Sequence, residues 1–170
     1  MHEMAVADSS PARPGRLIPS IVAAWVIAGT IDIVVALAYY RLTAGVASLA
    51  ILHGIASGVL GPPAFQGGAA TAAFGLACHY TIALIWTLFF FAIYPRVPLL
   101  WRSRLLTAVL YGTFVSAVMT FVVLPLSNVR HRPFSLRAFV VATVILMVSI
   151  GLPLAIVAGR YYAARLRRPA

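Results

Sequence analysis

Residues 58–80 read GVLGPPAFQGGAATAAFGLACHY. The character of this stretch changes at its middle. Gly58, Gly61, Pro62, Pro63, Gly67 and Gly68 break any helix across its first half, because proline lacks a backbone donor and glycine holds a helix weakly. From Ala69 to Tyr94 the residues are predominantly apolar and free of proline, a run longer than the ~18 residues that cross a bilayer. A broken connector that feeds an apolar, histidine-bearing helix points to a polytopic membrane protein.

Composition agrees. Of 170 residues, 62% are hydrophobic and 9% charged, against roughly 45–50% and about 25% in a soluble domain. So little charge cannot cover a water-facing surface. The net charge is +10, from 13 basic residues and 3 acidic ones. All the basic residues are arginine, placed at the ends of apolar runs, where they orient spans and meet anionic lipid headgroups. No basic segment interleaved with aromatics is present, so a nucleic-acid partner is not expected. The single cysteine, Cys78, excludes an intrachain disulfide and a CxxC redox or metal pair.

Outward from the opening stretch, four spans are predicted at about 17–40, 69–94, 105–126 and 138–162. Residues 1–16 read as a disordered tail and 163–170 as a basic one. Ala36-Leu37-Ala38 has the small-residue form of a cleavage site. The run from Leu17 to Tyr40 is nevertheless longer than the ~7–15 residues of a signal h-region and contains Asp32, so it reads as the first span, ended by Arg41. Residues 43–60 are short for a span and stop at Gly61-Pro62-Pro63, as interfacial or re-entrant segments do. Pro153 is expected to kink the last span.

Arginine counting sets the orientation. With four spans and both termini cytoplasmic, arginines 13, 16, 96, 102, 104, 160, 165, 167 and 168 lie inside and 41, 130, 132 and 137 outside. A fifth span at 43–60 would reverse the balance, so the positive-inside rule favours four. Small residues recur every four positions: Gly112, Ser116 and Thr120 in the third span, and Gly151, Ala155 and Gly159 in the fourth. Such stripes let helix backbones approach in lipid. Asp32 and His79 fall on similar stripes, between Ala28 and Ala36 and between Gly75 and Ala83, so both face the bundle.

Asp32 is the sharpest functional signal. A mid-membrane carboxylate costs roughly 2.5–3.5 kcal/mol on insertion scales and therefore faces a partner or a wet cavity. It lies ~12 Å from the outer end of its helix, and His79 lies ~15 Å into the antiparallel neighbour, at 1.5 Å per residue. Ser116, Thr120 and Thr143 reach comparable depth. These five residues outline a polar intramembrane centre for a ligand or a proton, open to the outside, with His53 and Arg41 as contributors from the outer face. The bland alternative is a neutral Asp32 that only ties helices together. The 58–68 connector is either a lid over this centre or a surface turn.

Standard catalytic patterns are missing: no HExxH, no carboxylate cluster, no P-loop and no GxSxG. Haem would need two well-placed axial ligands, and His53 is a poor partner for His79. No cofactor, metal or catalytic residue is assigned.

The segments AGTIDIVVALAYY (28–40), IASGVLGPPAFQGGAATAAFGLACHY (55–80) and FVVLPLS (121–127) resemble small bacterial inner-membrane proteins grouped loosely as YagU-like. That resemblance implies an inner-membrane location and a link to acid resistance, and it brings no catalytic residues. The expected fold is all-α, a four-helix transmembrane bundle with a short segment after the first helix. The expected function is a non-enzymatic membrane protein of envelope or acid-stress physiology. A proton-coupled transporter or channel subunit acting as a homo-oligomer is the second reading, and a haem-binding or other membrane enzyme the third.

Overall fold

A computed structural model of the chain describes residues 17–130 and 133–166. The tail expected at 1–16, the loop residues His131 and Arg132, and the end of the basic tail lie outside them. Among the described residues all regular structure is helical. The helices are α1 (Leu17–Ala44), α2 (Ser48–Leu60), α3 (Gly68–Arg96), α4 (Arg104–Leu126) and α5 (Leu136–Ala163). All but α2 are long and apolar enough to cross a membrane. The protein is thus a multi-pass integral membrane protein with four spanning helices and one short helix.

The helices are apolar nearly all round, which is the mark of helices solvated by lipid. Ile18, Val34, Ile85, Leu105 and Val144 all stand exposed on the outside of the bundle. Helix ends follow local chemistry. α1 runs past Arg41 to Ala44, because the first residue able to end it is Gly45, with φ 64°. Arginine has good helix propensity and does not stop a helix. α2 ends at Gly61, also at positive φ, and Pro62–Gln66 continues as a 3₁₀ turn. The Ser103 and Ser135 hydroxyls cap α4 and α5, accepting from the N–H groups of Leu106 and Ala138, the usual task of serine at this position.

α1 lies between α3 and α5, α4 packs along α5, and α2 packs on α3. The α4–α5 seam is the closest. A Cβ on Gly112 would lie 2.5 Å from the Met147 Cα, and one on Gly151 would lie 2.8 Å from the Ala108 Cα. Only hydrogen fits at these two positions, so the small-residue stripes do bring these backbones together. α3 and α4 are joined mainly by rings: Tyr111 packs on Phe90 at 4.6 Å between centroids, and its hydroxyl donates to the Trp86 carbonyl at 2.6 Å.

Two π-helical turns interrupt the spans, at Met119–Val123 in α4 and Met147–Gly151 in α5. Each is followed by Leu-Pro, at Leu124-Pro125 and Leu152-Pro153. Proline offers no N–H to the carbonyl four residues back and its ring crowds that carbonyl. A widened turn relieves the clash. The expected disturbance at Pro153 therefore takes the form of a π-turn, which also shifts the facing of the residues before it.

Candidate functional site

α1 brings Asp32 to the interior of the bundle, where the π-turn of α5 presents Ser149. Ser149 is fully buried, and its hydroxyl donates to Asp32 Oδ1 at 2.6 Å. The chain of cause is local. Pro153 leaves the Ser149 carbonyl without its usual partner and α5 widens there. The serine in the widened turn is the one that meets the carboxylate.

α3 brings His79 to the same place. Its Nε2 lies 2.9 Å from the Gly29 carbonyl of α1. A carbonyl only accepts, so Nε2 carries the proton, and Nδ1 is the basic nitrogen when the ring is neutral. Gly29 permits this approach: a Cβ there would already be 3.1 Å from the Tyr80 ring. Two further bonds lock α1 to α3 around the histidine. Trp25 Nε1 donates to the Tyr80 carbonyl, and Thr30 shares a hydrogen bond with the Tyr80 hydroxyl, both at 2.8 Å.

Asp32 and His79 line one cavity of about 130 Å³. All five helices contribute to it: α2 through Ile55, α3 through Ile82 and Trp86, α4 through Val115 and Met119, and α5 through Leu146 and Ile150. The volume admits several water molecules or a small ligand. No other titratable side chain is part of the lining. Beyond Trp86, towards the α3–α4 loop, the interior is filled. Phe90, Leu154, Thr87 and Thr107 are all at most 1% exposed, and Tyr94 stacks on Tyr162. Ile85, Leu88 and Phe89 are exposed on the outside of α3. The inward face of that helix turn belongs to Thr87, Phe90 and Phe91.

The remaining candidates sit elsewhere. Thr143 donates to Ser116 Oγ at 2.7 Å, a buried α4–α5 bond outside the cavity lining. Thr120 lines a separate recess between α2, α4 and α5. His53 is buried and its Nε2 meets the Gly68 carbonyl at 2.8 Å, tying α2 to the first residue of α3. Arg41 is exposed and reaches the Gly45 carbonyl at 3.3 Å, not the carboxylate. The opening stretch reaches the cavity through His79, and α2 reaches it through Ile55; the 62–66 turn packs through Ala64 and sends Phe65 to the second recess. Asn128 fastens the end of α2 to the α4–α5 loop, its N–H and side-chain amide donating to the carbonyls of Gly58 and Val59, both at 2.9 Å.

Ser149 is the residue that sequence reading passed over. Its signal was Pro153 four positions later, which marks where the α5 ladder must open. Among the described residues no group of three or more His, Cys, Asp or Glu could hold a metal ion. The chain matches no protein-family model, no curated protein and no solved structure.

Proposed function

We propose that this chain is a bacterial inner-membrane protein, non-enzymatic, whose Asp32–His79 centre takes up and releases a proton reached from the α2 end, and that it serves acid-stress physiology. One observation carries the reading: the two ionisable side chains line the same small cavity inside an otherwise apolar bundle. Ionisable residues within spans are rare, and they mark proton or ligand sites when they face a cavity. Proton uptake at His79 Nδ1 would place a cation in the same cavity as the carboxylate that Ser149 orients. The filled interior beyond Trp86 supports a proton-responsive element over an open channel. The YagU-like resemblance of residues 28–40, 55–80 and 121–127 is compatible with the same physiology, and the arginine distribution supports cytoplasmic termini.

Trp86 lines the cavity and serves as the reporter. In liposomes the intrinsic tryptophan fluorescence is expected to follow a pH-dependent transition that His79→Ala abolishes. Cells carrying Asp32→Asn or His79→Ala should survive acid challenge less well than wild type. Unchanged survival in both strains would remove the acid-stress role.

A further inference from the structure

A second recess, larger than the Asp32–His79 cavity, lies apart from it and has no part in the reading above. It measures about 880 Å³ and opens between α2, the end of α4 and the start of α5, within the ~300–1,000 Å³ range of small-molecule sites. One wall is aromatic. Phe121, Phe134 and Phe139 pack ring to ring, with centroids 5.7 to 6.0 Å apart. Phe121 and Phe134 nonetheless remain 58% and 59% exposed. Phenylalanines left open in this way present a surface for something apolar to lie on.

The recess carries charge at one end only, on Arg130. Arg130 and Ser135 belong to the α4–α5 connection, beyond the spanning helices. Thr120 and Ala142, also in the lining, lie six residues inside α4 and α5, or ~9 Å deeper at the helical rise. A cation at the membrane boundary above an apolar slot matches the shape and polarity of a lipid. Arg130 is also placed differently from other arginines. Arg41 and Arg96 turn back to carbonyls of their own chain segments, Gly45 and Ala92, whereas Arg130 lines the recess. Arg137, the second residue of α5, follows it in the sequence. By the arginine count this is the translocated side, where such residues are disfavoured. A ligand with negative charge accounts for keeping them there.

We propose that this recess binds one anionic phospholipid, with its phosphate on the Arg130 guanidinium and an acyl chain along the Phe121–Phe134–Phe139 wall. Guanidinium–phosphate contacts are charge-assisted and directional, which separates an anionic lipid from a zwitterionic one of equal chain length.

The test is native mass spectrometry of the full chain from neutral detergent, after incubation with equal phosphatidylglycerol and phosphatidylcholine of matched chains. One phosphatidylglycerol should be retained in preference. Arg130→Gln should lower that retention about five- to tenfold, Arg130→Lys should recover part of it, and Arg96→Gln should leave it unchanged. Ala138→Trp, which fills the recess without touching charge, should lower retention of both lipids. Circular dichroism confirms that each variant is folded. Four outcomes would overturn the proposal: equal retention of the two lipids, equal losses in Arg130→Gln and Arg96→Gln, displacement by inorganic phosphate alone, or a dimer that shields Ala138 in place of lipid.

Discussion

At the scale of single residues, the centre consists of one carboxylate, one imidazole and one hydroxyl. Asp32 and His79 were legible in the sequence because ionisable groups stand out in apolar runs and are costly there. Ser149 was not, since serine is common in spanning helices and its facing depends on a π-turn. His53 and Arg41 were drawn to the centre by residue type, yet each satisfies a nearby carbonyl. The Ser149–Asp32 bond has a measurable consequence. Ser149→Ala should destabilise the bundle by about 1–3 kcal/mol, because a buried acceptor loses its donor. In a double-mutant cycle with Asp32→Asn the two losses should be less than additive. Full additivity in detergent unfolding would show that the two side chains do not interact.

At the scale of elements, hydrophobic run length located all four spans, and Gly61-Pro62-Pro63 located the end of α2. The sequence reading stopped α1 at Arg41 because it took charge as a stop signal, whereas backbone conformation ends it at Gly45. The form of the Pro153 disturbance could not be read from sequence either, since proline in a helix is relieved by a kink or by a π-turn according to its neighbours. Here the π-turn sets where Ser149 sits. Pro153→Ala should therefore return α5 towards regular geometry and uncouple the serine. In that background, adding Ser149→Ala should no longer lower stability; an undiminished loss would mean the π-turn does not position the hydroxyl. Glycines separate seams from open faces. Gly112→Leu should cost at least about 1–3 kcal/mol through overpacking, since the Met147 backbone leaves no room. Gly54→Ala, with nothing within 4 Å, should gain roughly 0.5–1 kcal/mol from helix propensity. Equal effects of the two would contradict the α4–α5 close approach.

At the scale of the whole molecule, the two ends of the bundle differ. The end carrying α2 contains the Asp32–His79 cavity and the phenylalanine-walled recess, whereas the α3–α4 loop end is packed with aromatic rings. Composition and run length made the class and span number legible. They could not show that Thr120 and the Ser116–Thr143 pair lie apart from Asp32, because similar depth along neighbouring helices does not fix which face each residue turns inward. Four spanning helices also place the two ends of the described chain on one side of the membrane. The central claim is that Asp32 and His79 act as one centre. The most direct test is a pH titration of the His79 ring nitrogens by NMR in wild-type and Asp32→Asn protein. The account predicts a different His79 midpoint in the two proteins, because ionisable groups that share one low-dielectric cavity shift one another's titration. The same midpoint in both would contradict it.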